Sequence, residues 1–294
     1  MAEQLVTGHE VIERLAERFV QLYVAPSDDE LTQELNRRAR LSGFRLPDAS
    51  LDHFVTSDED ELRLLETPAG PIEVAHLAVR KDFETFLQIV GHKSQPVAIA
   101  PSVGAITYRG LADWGQVAQA REAYLAAGGD DWPAEFSRLA KEPGAFRAEL
   151  IILSKGPYSN VPASETPFDE EEWLRVSHEI RLHHECAHVV CRRIMPDDIL
   201  PVWDEVTADA TGLLFACKGY KASLAARFLG VTPDGFTGGR LSEYLSEEQL
   251  ANIDAIASEL FASLVRIEEL VDEEAVADPF SFLLALKHAP LIAY

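Results

Sequence analysis

Three cysteines in 294 residues, Cys186, Cys191 and Cys217, are too few and odd in number for a disulfide framework. Their scarcity excludes a small stapled scaffold and points to a reducing compartment. No apolar run reaches the roughly eighteen residues that a membrane span needs. The opening "MAEQLVTGHEVIERLAERF" is amphipathic and carries acids, so it lacks the basic and apolar regions of a signal peptide. A cytoplasmic protein with no membrane partner is the expectation. Basic residues are scarce as well: 26 Lys+Arg against 49 Asp+Glu leave a formal charge of -23, which repels a phosphate backbone and argues against nucleic acid as a partner. Internal repeats and low-complexity stretches are missing, and nothing in the chain fixes an oligomeric state.

Hydrophobic residues make up 47% of the sequence, enough to bury a sizeable core as one large domain or two small ones. From Glu10 to Val24 the apolar Val11, Ile12, Leu15, Phe19, Val20 and Tyr23 recur at helical spacing, and Ser27 is placed to cap a second helix in "SDDELTQELNRRARLSG". Between Pro71 and Ser154 the runs "PIEVAHLAV", "PVAIA", "AITYRG" and "ELIILS" are short and β-rich, interleaved with helical pieces at Asp82 to Val90 and Leu111 to Ala127. Helices return after Thr166. "SEEQLANIDAIASELFASLVRIEEL" carries a capping box at Ser246 and Gln249 and an apolar stripe through Leu250, Ile253, Ile256, Leu260, Leu264 and Ile267. "PFSFLLALKHAPLIAY" suits a docked final helix, and "DGFTGGRLSEY", Asp234 to Tyr244, lacks phosphate-loop spacing and reads as an ordinary loop. The expected class is α+β, predominantly helical, with a helical and α+β part over 1–160 and a helical part over 161–294 that ends in a bundle.

Histidine is also sparse, nine in all, yet three fall in "RLHHECAHVV", Arg181 to Val190. The surrounding "PFDEEEWLRVSHEIRLHHECAHVVCRRIMP" has acids in its first turn, Arg192 and Arg193 in its last, and Pro196 to stop it, the signature of one helix. His184 and His188, four residues apart, share the apolar face of Trp173, Val176, Ile180, Ala187 and Cys191. Two inward imidazoles without partners are costly to bury, whereas at this spacing they can hold one zinc ion, with Glu185 beside them. A shuffled sequence of this composition gives only about 0.05 His-acid-x-x-His matches.

A catalytic zinc site needs a third protein ligand. Downstream, "DDILPVWDEVTADATGLLFACKGY" reads as a second helix, with Asp197 or Asp198 near its start, Pro201 in its first turns and Gly219 just past its end. The connection is short, so the two helices are expected to be antiparallel neighbours. His188 then lies roughly 10 Å before the end of the first and Glu205 roughly 6 to 10 Å into the second, which makes them level. Asp209, one turn on, comes opposite His184, where its carboxylate can accept the second imidazole N–H and hold the metal-binding tautomer. Asp204 is the other carboxylate at the level of Glu205.

"HECAH" on one helix and "EVTAD" on the next resembles the gluzincin metallopeptidases, the thermolysin-like zinc hydrolases, over about residues 169–220. The resemblance implies a zincin-like fold with a small mixed sheet next to the helix pair. It also implies Zn2+ held by His184, His188 and Glu205, Glu185 as general base, Asp209 as the orienting carboxylate, and a peptide or protein as substrate. Enzymes of that group often add a Tyr or His for the oxyanion; Tyr158 and Tyr244 remain open for it, while Tyr220 lies too far along the second helix. They also use an edge strand to pair with an extended peptide, a place "ELIILS" can take, though as a bare strand it reads as ordinary sheet. His183 faces elsewhere, His178 and Glu179 find no histidine on their face, and Cys191 reads as a small buried hydrophobe. The alternative function is a zincin-like metal-binding scaffold without turnover that acts through a protein partner. A carboxylate-bridged di-iron site needs a second E-x-x-H, and Glu73 to His76 lies in a predicted strand.

Overall fold

The computed structural model describes residues 5–195 and 201–291, and the chain divides into two compact units. The first comprises Met1–Leu65, Ile72–Ala100 and Ile106–Ser154, and the second Glu66–Pro71, Pro101–Ala105 and Lys155–Tyr294. The class is α+β with a small mixed sheet.

Strand β1 (Val6–Thr7), helix α1 (Glu10–Arg18), a 3-10 turn at Val20–Tyr23 and helix α2 (Glu30–Ser42) open the first unit. The run expected to be one helix from Glu10 to Val24 breaks at Phe19, which leaves helical geometry. Asp29, not Ser27, caps α2: its carboxylate accepts the Thr32 N–H at 2.8 Å, and the Ser27 hydroxyl donates to Asp29 instead. There follow β2 (Glu61–Leu65), β3 (Ile72–Leu77), α3 (Arg80–Val90), β4 (Ala105–Ala112), α4 (Trp114–Ala126), α5 (Trp132–Leu139) and β5 (Arg147–Ser154). "PVAIA" forms no strand, and β2 was not expected from its charged sequence.

The sheet runs β1-β2-β3-β5-β4, with β2 antiparallel to β3 (Leu62 opposite Ala75) and β5 parallel to β3 (Ile152 opposite Ala75). Leu150, Ile151, Ile152 and Leu153 of β5 are all buried, as a parallel strand covered on both faces requires. "ELIILS" is therefore an interior strand with neighbours on both sides, and its backbone groups are not free to take a peptide; β1 and β4 are the edges.

The second unit is built from α6 (Glu170–Ile194), α7 (Pro201–Cys217), α8 (Ala222–Leu229), the short hairpin β6 (Val231–Thr232) and β7 (Gly235–Phe236), α9 (Glu247–Leu250), α10 (Ile253–Leu270), α11 (Glu273–Ala277) and α12 (Pro279–His288). Asp169 caps α6 by accepting the Glu172 N–H at 2.8 Å, acids fill its first turn, and Arg192 and Arg193 complement the dipole in its last. Trp173 and Ile180 of α6, Trp203 and Val206 of α7, Phe228 of α8 and Leu260 and Leu264 of α10 share one core. The Ser246–Gln249 capping box is present, but it closes only the four-residue α9, and the stripe resumes in α10 after Asn252. The last helix docks as expected, the Trp203 indole donating to the Leu286 carbonyl at 3.1 Å.

At the end of α7 the left-handed residue is Lys218 (φ 52), not Gly219. The proposed start of that helix at Asp197 or Asp198, and Pro196, lie outside the described residues. Among the described residues no helix is long and apolar enough to cross a membrane.

Candidate metal centre

Close approach of α6 and α7 sets everything else. Ile180 meets Gly212, His184 meets Asp209, and His188 meets Asp204 and Glu205, so rising numbers on one helix face falling numbers on the other and the pair is antiparallel. Gly212 is what permits this contact: a Cβ there would lie 2.6 Å from the Ile180 carbonyl oxygen, and that obstacle is backbone. Gly212→Ala is expected to cost about 1–3 kcal/mol of unfolding free energy by spreading the helices, read by urea denaturation. Full stability would show that the helices tolerate the separation.

The structure brings His184, His188 and Glu205 together, and each offers one donor atom within 4.8 Å of the others. The two Nε2 atoms are 3.0 Å apart. Glu205 Oε2 is 3.5 Å from His184 Nε2, and its Oε1 is 3.5 Å from His188 Nε2. Donors bound tetrahedrally to zinc at 2.0–2.2 Å are separated by roughly 3.3 Å, so the three atoms already stand close to the spacing that one such ion imposes. Two nitrogens and a carboxylate oxygen are also the donor chemistry that zinc accepts.

Behind each imidazole stands a carboxylate. His184 Nδ1 lies 2.9 Å from Asp209 Oδ1, and His188 Nδ1 lies 2.6 Å from Asp204 Oδ2. A proton held on each Nδ1 leaves both Nε2 lone pairs directed at the common point. Burial alone would lower the His184 pKa, but the carboxylates of Asp209, hydrogen-bonded at 2.9 Å, and of Glu205, 3.5 Å away, outweigh burial and push it up to about 10. The carboxylates thus favour positive charge at this point, and a metal ion bound there would have to displace the proton that otherwise supplies it.

Each supporting carboxylate has its own buried cation. Arg240 Nη2 donates to Asp209 Oδ2 at 2.6 Å, with its Nη1 3.8 Å from Glu205, and Lys287 Nζ donates to Asp204. Burial would raise Asp204 and Asp209; His188 and Lys287 hold the first well below the usual carboxylate range, and Arg240 and His184 do the same for the second. Glu205 is likewise lowered against its burial by the two histidines and Arg240.

Tyr158 donates its hydroxyl to Asp209 Oδ1 at 2.6 Å and sits 2.8 Å from His184 Nδ1, on the supporting side of the imidazole. Its loop is tied to α6: Arg181 donates to the Gly156 and Pro157 carbonyls, and the Tyr158 N–H donates to the Ser177 hydroxyl. Of the two tyrosines left open for the oxyanion, Tyr158 is thus committed to Asp209, whereas burial, with Glu205 and Asp209 nearby, pushes the Tyr244 hydroxyl well above the usual phenol range. The buried Tyr220 hydroxyl has no hydrogen-bond partner.

Glu185 is half-buried on α6, about 100° round the helix from His184 and about 60° from His188. His183 stacks on Phe215 at 3.7 Å and turns its Nε2 toward Glu179, away from the cluster. Cys191 stays outside the donor set, and burial pushes its thiol up to about 11, as for a small hydrophobe. Glu73 of the second E-x-x-H lies in β3 and is held by Arg18 at 2.5 Å, so it contributes to no cluster with Glu185 and His188.

Sequence reasoning missed Arg240, Lys287 and the role of Tyr158. The loop read as ordinary delivers Arg240 and Tyr244 to the centre, and glycine makes this possible. A Cβ on Gly239 would fall 2.6 Å from the Gly230 nitrogen, so the chain folds back on the end of α8 only where both residues lack side chains. The glycine pair in "TGGR" was the available signal for a close backbone approach. Lys287 gave none, since a lone lysine in an apolar helix ordinarily marks the solvent side.

Comparison with curated proteins and with solved structures returns no match. Over residues 4–291 the chain matches the model of DUF7005, a family of unknown function, and it belongs to that family.

Proposed function

We propose that the protein is a zinc-dependent hydrolase of peptide or amide bonds with a gluzincin-type centre. The observation that carries this is the convergence of the His184, His188 and Glu205 donor atoms at distances of 3.0 and 3.5 Å, with a carboxylate behind each imidazole. A zinc ion held there supplies a water of near-neutral pKa and polarises the substrate carbonyl.

The chain's own residues do the rest. Glu185 accepts the proton of the attacking water and returns it to the departing amine. Asp204 and Asp209 fix the tautomer and orientation of the imidazoles. Arg240 and Lys287 keep those two carboxylates ionised in a buried setting and hold them in place by their ion pairs. With Tyr158 held by Asp209, Tyr244, whose hydroxyl feels the charges of Arg240 and Glu205, is the remaining candidate for stabilising the oxyanion.

The test is metal content followed by turnover. Protein purified without chelators is expected to carry about one zinc per chain and to hydrolyse members of a broad peptide library. Bound zinc with no hydrolysis by the wild-type protein supports the other reading, a zincin-like scaffold acting through a protein partner. Absence of metal, together with failure of zinc to bind on titration, removes both.

A further inference from the structure

The first unit contains a cavity of about 150 Å³ that has no part in the metal centre. Arg40 of α2, Trp114 at the start of α4, Phe136 of α5, and Phe146 and Arg147 at the foot of β5 line it. The rings form a continuous shelf: Trp114 stacks on Phe136 with centroids 6.5 Å apart, and Phe136 stacks on Phe146 at 5.7 Å. Trp114 is fixed from behind, its indole donating to the Arg40 carbonyl at 3.2 Å and its ring covering Gly43, where a Cβ would come within 2.7 Å. Phe146 sits at φ 56, a left-handed conformation that costs a ring-bearing residue backbone strain and that places its side chain on the shelf.

The charges at this cavity are unusual for the chain. With 49 acids against 26 bases, an arginine here ordinarily finds a carboxylate. Arg40 has none among the described residues, and its Nε is buried without an acceptor. Among the described residues Arg147 donates only to the Gly110 carbonyl, at 3.2 Å. The carboxylate that does reach the wall, Asp113, is already taken by Arg18 at 2.8 Å and by the backbone and side chain of Gln116. Two guanidinium groups without anionic partners therefore face an aromatic shelf.

We propose that this cavity is a binding site for a small aromatic carboxylate. The ring packs on the shelf of Trp114, Phe136 and Phe146, and the carboxylate answers the unpaired donors of Arg40 and Arg147. Its volume of about 150 Å³ lies below that of pockets for drug-sized ligands, which suits a single ring with its acid group and not a nucleotide.

Calorimetric titration of the whole protein with phenylacetate tests the proposal, with phenylacetamide and acetate as controls for charge and ring. Saturable phenylacetate binding is expected, with amide and acetate weaker by about tenfold or more. Arg40→Gln and Arg147→Gln are each expected to weaken phenylacetate by about tenfold; Arg147 is exposed, so its variant keeps the fold even if the first does not. Failure of phenylacetate to saturate at millimolar concentration, equal binding of amide or acetate, or wild-type affinity in folded Arg147→Gln overturns it.

Discussion

Glu185→Gln is expected to bind zinc as tightly as the wild-type protein and to lose peptide hydrolysis by about 10²–10⁴-fold. The amide keeps the size and reach of the carboxylate on α6, so the helix, the two imidazoles and Glu205 stay where they are. What it cannot do is accept a proton from water, and a general base is worth roughly that factor. The loss belongs in kcat/KM and in single-turnover rates alike, because the step removed is chemical. Glu185→Asp withdraws the carboxylate by one methylene and is expected to fall between the two. Zinc content measured on the same samples separates loss of the base from loss of the metal. A Glu185→Gln variant that hydrolyses at the wild-type rate would falsify the assignment of this residue while leaving the metal site intact.

Asp209→Ala is expected to cost about 3–5 kcal/mol of stability, because it removes the anion from a buried charge pair and leaves the cation behind. Asp209 is 1% exposed and serves three groups at once, Tyr158, His184 and Arg240. Without Asp209, Arg240 is left with the Glu205 carboxylate 3.8 Å from its Nη1 and with a buried Nε that has no hydrogen-bond partner. The freed His184 ring loses its orientation, and zinc affinity is expected to drop by about 10–100-fold. Asp209→Asn keeps an acceptor and loses the charge, so it separates the hydrogen bond from the ion pair.

The pH dependence of unfolding gives a second readout on the same variants. Burial would raise the Asp209 pKa, but Arg240 and His184 lower it below its unfolded value. Its contribution is therefore complete above about pH 4 and is lost as pH falls through the folded-state value. The acid limb of the stability curve is expected to be shallower in Asp209→Ala than in the wild type. An unchanged limb would mean that this carboxylate carries no net stabilising charge interaction.

The helix pair was legible because its signals are local. Histidines four apart, a glutamate and aspartate four apart, acids at one helix end and arginines at the other all fall inside one or two turns, where the 3.6-residue period fixes which face they share. The breaks in helical runs were less legible. Phe19 and Asn252 interrupt sequences that are periodic throughout, and the interruption answers packing, not propensity. The position of β5 inside the sheet was not legible at all, since an apolar strand reads the same whether its neighbours lie on one side or both.

From the sequence alone came the class, the helix that carries "HECAH", the partner helix that carries "EVTAD", and the antiparallel relation that makes their donors level. Only the tertiary structure decided what surrounds those donors. Tyr158 reaches Asp209 across 51 residues, Arg240 across 31, and Lys287 reaches Asp204 across 83. Contacts of that span leave no periodic trace in the chain, because they are set by where whole helices and glycine-hinged loops come to rest. The charge balance of a buried site is a property of that arrangement, in which each desolvated carboxylate requires its own cation.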